Sequence, residues 1–201
     1  MDSSGLYRDI TGFAHSTPTW VRSASEVWTE YGLLLFGVLF IAVWWRSRGH
    51  GPGSVALAVL APPATAAAYV ASEVVKSTVD EERPCRAVAG AAAALIPCPP
   101  TGDWSFPSNH SALAGAAAIA LALAVRRLAP LTVPLALLMA FSRVFVGVHY
   151  PHDVAMGLLL GGSLGALVVL VLAGPVSTII AAMRASGVRV AVWFTGQGPA
   201  R

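Results

Sequence analysis

Apolar residues run along this chain in five long stretches: Tyr31–Trp45, Gly53–Ser72, Ala112–Val125, Leu128–Phe141 and Val154–Gly174. A helix that crosses a bilayer needs about 20 mostly apolar residues. Gly53–Ser72 and Val154–Gly174 meet that length, and the other three reach it through uncharged or aromatic flanks. The buried helices of a soluble protein would keep polar faces for water, and these stretches leave almost none. The pattern predicts an all-α fold, a polytopic membrane helix bundle with five spans.

Residues 1–30 lack the basic start and apolar core of a signal peptide. From Pro18 to Glu30 apolar and polar residues mix, with Trp20, Val21, Ala24, Val27 and Trp28 among them. That mixture predicts a short helix lying at the membrane interface. The chain thus divides into an interfacial segment (1–30), a transmembrane domain (31–174) and a cytoplasmic tail (175–201). Pro62 and Pro63 should kink the second span. Gly157, Gly161 and Gly165 share one face of the fifth and favour close packing inside the bundle.

Composition agrees with the pattern. The 201 residues are 56% hydrophobic and 11% charged, where soluble domains carry about 25% charged residues. The net charge of +3 includes no long basic tract, so nucleic acid is not an expected partner.

The charges sort by segment. Arg46 and Arg48 follow the first span, Arg126 and Arg127 join the third to the fourth, and Arg184, Arg189 and Arg201 follow the fifth. No acid lies in these segments; all 10 acidic residues are elsewhere. Short loops rich in arginine stay cytoplasmic. The expected placement is a bacterial inner membrane with the N-terminus outside and the C-terminus inside. The loop from Lys76 to Pro107 and the turn at Tyr150 would then face outside. Trp28, Tyr31, Trp104 and Tyr150 would anchor the outer interface, and Trp44 and Trp45 the inner one. Cys85 and Cys98 fall in the outer loop, where an oxidising compartment permits a disulfide.

Three polar clusters sit at the outer ends of spans: Lys76 to Arg83-Pro84, Pro107 to Ser111, and Ser142-Arg143 through His149 to Asp153. Ionisable groups near membrane depth are costly and point to function. Lys76, Arg83 and Arg143 offer three cations, and guanidinium forks match phosphate oxygens. Ser108 stands at the N-cap position of the third span, which would aim the N–H groups of Asn109 and His110 at an anion. His149 and Asp153 are four apart across Pro151, which suits a first helical position. A carboxylate on one imidazole nitrogen would fix the tautomer and make the other a nucleophile. His110 is then free to protonate a leaving oxygen. The reaction this suggests is phosphoryl transfer through a phosphohistidine, followed by hydrolysis. A metal held by His149, His152 and Asp153 is the competing arrangement, disfavoured because the three cations would repel it. Glu73, three before Lys76, should pair with it, and Asp80, Glu81 and Glu82 read as a solvated loop.

The three clusters resemble the motifs of the type 2 phosphatidic acid phosphatase (PAP2) superfamily: K-x6-R-P at Lys76, Arg83 and Pro84; P-S-x-H at Pro107, Ser108 and His110; and S-R-x5-H-x3-D at Ser142, Arg143, His149 and Asp153. Asn109 stands where glycine is common in that family. The resemblance implies an integral membrane lipid phosphatase that needs no metal or other cofactor. It makes His149 the nucleophile, Asp153 its orienting partner and His110 the general acid. Lys76, Arg83, Ser108 and Arg143 would hold the phosphate. The implied substrate is a membrane lipid phosphate: undecaprenyl diphosphate first, then phosphatidylglycerophosphate or phosphatidic acid. A lipid-linked phosphotransferase and a non-enzymatic anion carrier are the alternatives.

Overall fold

The computed structural model describes residues 2–198, so Arg201 of the charge partition lies outside the described residues. Those residues form eight α-helices and a short 3₁₀ turn, Arg126–Leu128, with no strand among them. The helices are α1 Ser4–Ser16, α2 Thr19–Ser47, α3 Pro52–Lys76, α4 Pro84–Ala87, α5 Asn109–Ala124, α6 Ala129–Phe145, α7 Pro151–Ala185 and α8 Arg189–Thr195. Among the described residues, four segments are long and apolar enough to cross a membrane: α2, α3, Arg126–Phe145 and α7. Large apolar side chains such as Leu34, Ile41, Leu159 and Leu170 point outward from them. In water that surface would be unstable; in hydrocarbon it is the required one. The chain is a multi-pass membrane protein.

The third predicted span, α5, has 16 residues and rises only about 24 Å. It sits at the centre, packed against α2, α3, α6 and α7. Its small side chains, among them Ala114, Ala116, Ala117 and Ala118, are buried nearly all round, so it has little lipid to match in length. Small residues let neighbours approach closely. The three glycines of α7 face this helix: a Cβ on Gly161 would run into the Ala112 carbonyl. The glycine face therefore packs within the bundle. α3 continues as one helix through Pro62 and Pro63.

The start of the chain is arranged differently from the expected one. A separate first helix, α1, precedes the Pro18–Glu30 stretch, while Thr19–Glu30 forms the beginning of α2. Pro18 ends the preceding helix, and no breaker interrupts Thr19–Ser47 once the new one has begun. α1 buries Tyr7, Thr11 and Ala14 on one face and packs against α6. The second boundary also falls within a helix, because α7 passes through Gly174 and Pro175 to Ala185. The remaining tail folds back as α8 beside the end of α2. Trp44 donates to the Phe194 carbonyl (3.2 Å), and Arg184 donates to the carbonyls of Arg48, His50 and Thr195.

Two of the expected interfacial aromatics do other work. Trp28 packs against the core cluster of Phe36, Met139 and their neighbours. Tyr150 is buried and stacks on His152, ring centroids 5.2 Å apart.

Candidate active site

The C-terminal ends of α3 and α6 and the N-terminal ends of α5 and α7 meet at one end of the bundle. Each carries part of one polar cluster. Lys76 is the last residue of α3, Arg143 lies in the final turn of α6, Asn109 and His110 open α5, and Asp153 lies in the first turn of α7. A pocket of about 410 Å³ lies between them. Lys76, Arg83, Asn109, His110, Arg143 and His149 all line it, together with Glu73 and Asp103. Ser108 and Asp153 are fully buried and are not among the lining residues.

His149 sits between the cations and the carboxylate. Arg83 Nη1 donates to His149 Nε2 (3.1 Å) and to the Val148 carbonyl (3.1 Å). Arginine has no acceptor, so Nε2 must carry the lone pair and Nδ1 the proton. Nδ1 then faces Asp153 Oδ2 at 3.3 Å. This tautomer leaves the Nε2 lone pair on the Arg83 side, toward the pocket. Asp153 Oδ2 also accepts from Ser105 Oγ (2.5 Å) and from the backbone N–H of Tyr150 (2.8 Å), at the helix start that Pro151 defines. Ser105 Oγ lies 3.4 Å from His149 Nδ1 as well. Three donors around one carboxylate oxygen hold the imidazole in place.

Burial pushes the His149 imidazole well below its ordinary pKa, and the charges of Arg143, Arg83 and Lys76 push it the same way. It stays neutral in the folded protein while an unfolded chain would protonate near pH 6.5. Stability should therefore fall as pH drops through and below about 6.5, because the unfolded chain takes up a proton that the folded site does not. Melting curves between about pH 7.5 and 5.5 check this. The His149→Gln variant should show a shallower acid loss, and an unchanged slope would contradict the assignment.

The other predicted residues divide into those at the pocket and those behind it. Ser108 is the N-cap of α5, its Oγ accepting from the Ser111 N–H (3.4 Å), and its own N–H donates to the Asp153 carbonyl (3.2 Å). It joins α5 to α7 behind the pocket. Asn109 accepts from Ser72 Oγ (2.6 Å) and donates to Glu73. Glu73 also pairs with Lys76 at 3.5 Å, as their spacing on one helix face predicts. Arg143 is 7% exposed and donates to Thr29 Oγ1 (2.9 Å). Cys85 and Cys98 are joined by a disulfide, Cα atoms 6.1 Å apart.

Sequence reasoning missed several contributors. Asp103 lines the pocket and bonds to both Lys76 and Arg83. Burial raises the Asp103 carboxyl, but hydrogen bonding and charge from Arg83, with help from Lys76, outweigh this and hold it below the usual range. Ser105 and Thr29 carry no motif. Thr29 could have been found as part of the buried face Thr29, Gly32, Phe36 and Val43 of α2. The acidic loop is not merely solvated: Glu81 bonds to His152 Nε2 (2.9 Å), and Glu82 pairs with Arg86. His152 Nδ1 bonds to Ser3 Oγ (2.7 Å), tying the start of α1 to this end. Glu81, His152 and Asp153 bring three potential metal-ligand atoms within 4.8 Å of one another, without His149.

α1 also braces the loop that carries His149. Tyr7 Oη donates to the Gly147 carbonyl (2.9 Å). Gly147 has φ +89°, and a Cβ there would lie 2.9 Å from Ala94 Cα. Gly147→Ala should cost about 2 kcal/mol from left-handed strain and contact together. A melting-temperature comparison measures it, and activity should fall with it because His149 is two residues on.

The fold and site together define a membrane-embedded bundle with a cation-lined histidine–carboxylate centre at one end. The PAP2 superfamily model matches residues 55–175, and the chain belongs to that superfamily. It is 31% identical over 173 residues to the undecaprenyl-diphosphatase BcrC of Bacillus subtilis, covering 84% of this chain and 79% of that protein. It is 48% identical over 64 residues to the decaprenylphosphoryl-5-phosphoribose phosphatase of Mycobacterium tuberculosis. That match covers 32% of this chain and 35% of the relative's length. The crystal structure of Aquifex aeolicus LpxE superposes with a TM-score of 0.61 at 23% identity, covering 81% of this chain and 92% of that one.

Proposed function

We propose that this protein is a lipid phosphatase that removes the terminal phosphate of a lipid phosphate or diphosphate through a phosphohistidine. The observation that carries the reading is convergence. Three cations and two histidines from separate helices and loops line one pocket at the span ends, with Asp153 behind His149. His149 Nε2 attacks phosphorus; the N–P bond forms as the P–O bond to the lipid breaks. His110 gives its proton to the departing oxygen. Water then attacks the phosphohistidine, His110 takes a proton from it, and free phosphate leaves. Lys76, Arg83 and Arg143 offset the charge that builds on the pentacoordinate phosphorus. Asp153 stabilises the imidazole as it becomes cationic.

Undecaprenyl diphosphate is the first candidate substrate, supported by the name of the Bacillus relative. The arginine-rich end of the bundle would face the cytoplasm, putting the pocket outside. The test is phosphate release by purified protein from undecaprenyl diphosphate, phosphatidylglycerophosphate and phosphatidic acid. Vanadate, which mimics pentacoordinate phosphorus, should inhibit. Absence of both release and inhibition would defeat the phosphatase reading.

A further inference from the structure

Asp103 is an acid inside a pocket built for an anion. Its Oδ1 lies 2.9 Å from Arg83 Nη2 and 3.3 Å from Lys76 Nζ. Its backbone carbonyl accepts from Arg83 Nε at 2.7 Å. The same guanidinium donates through Nη1 to His149 Nε2. One residue therefore holds two of the three proposed phosphate-binding cations, and one of these covers the nucleophilic nitrogen.

The loop bearing Asp103 combines anchors with a freely turning residue. Cys98 is bonded to Cys85, Arg86 donates to the carbonyls of Pro99 and Pro100, and the Ser105 N–H donates to the Glu81 carbonyl at 2.8 Å. Between these ties lies Gly102, at φ +90° with open space around it. The Asp103 side chain is 43% exposed, so water can receive its carboxylate when it leaves the cations.

We infer that Asp103 is an internal competitor of the substrate phosphate: its carboxylate occupies Lys76 and Arg83 at rest, and a phosphate must displace it to bind. This rests on the proposed phosphatase reading. Two consequences follow from the geometry. Weakly held anions fail to displace the carboxylate, which sets a threshold for binding. After hydrolysis, its return to the cations helps expel inorganic phosphate. Displacement also draws the Arg83 guanidinium onto the incoming phosphate and frees His149 Nε2.

The test is titration of inorganic phosphate and vanadate into the detergent-solubilised full chain by calorimetry, comparing wild type with Asp103→Asn and Asp103→Ala. Removing a like charge beside an anion should tighten both dissociation constants by about tenfold or more. In steady-state assays KM should fall, and kcat should fall with it as product phosphate lingers. Asp103 could instead serve only to orient Arg83, and then both variants would bind the anions more weakly; that result overturns the inference. Equal affinities in all three proteins overturn it too, while leaving the phosphate pocket intact. If no variant binds either anion, the phosphate pocket itself fails, and this inference with it.

Discussion

Replacing His149 by alanine is expected to lower turnover by roughly 10⁴-fold or more, the scale on which loss of a nucleophile is felt in a hydrolase that works through a covalent intermediate. The imidazole is 2% exposed, and its tautomer is fixed on both sides, by Arg83 at Nε2 and Asp153 at Nδ1. The measurement is phosphate release from each candidate lipid by wild type and variant side by side. Folding is checked by binding of inorganic phosphate, which the three cations should largely retain. Undiminished turnover would sink the nucleophile assignment. Acid-labile incorporation of phosphate from labelled substrate into wild type, absent in the variant, would identify the intermediate directly.

Replacing Arg143 by methionine should cost roughly 10³-fold in kcat/KM, equivalent to about 4 kcal/mol of transition-state stabilisation. Arg143 is buried at the end of α6 and lines the pocket, yet it forms no ion pair among the described residues. Its hydrogen bond goes to the neutral hydroxyl of Thr29, and its Nε has no protein partner. A buried cation without a carboxylate destabilises the folded state, because the desolvation cost is not returned. The variant should thus lose activity while its melting temperature stays level or rises. Arg143→Lys keeps the charge without the planar fork and should fall between the two. A large drop in melting temperature with intact kcat/KM would show that Arg143 serves the fold and not the reaction.

These two predictions draw on different kinds of information. The His149–Asp153 pair is local: four residues apart, with Pro151 setting the helix start between them. Spacing alone announces such a contact, as it does for Glu73 with Lys76 and for Ser108 at the head of α5. The partner of Arg143 is 114 positions away on α2, and nothing in the local sequence links them. The same holds for Ser105, 48 positions from the carboxylate it steadies. Asp103 looks like any loop acid until the fold sets it on Lys76 and Arg83.

The apolar segments, the segregation of arginine from acid and the three clusters at segment ends were legible in the amino-acid pattern alone. Length and apolarity are properties of a segment, and a bilayer selects on them segment by segment. The sequence did not determine where the first helix ends, because the mixed pattern of Pro18–Glu30 suits either a surface helix or the head of a longer one. The tertiary structure decided that α1 caps the site end through Ser3 and Tyr7, and that α8 returns to α2. It also set the Asp103 carboxylate on Lys76 and Arg83. Those outcomes depend on side chains distant in sequence meeting at close range, and only the packing of α5 against its neighbours brings them together.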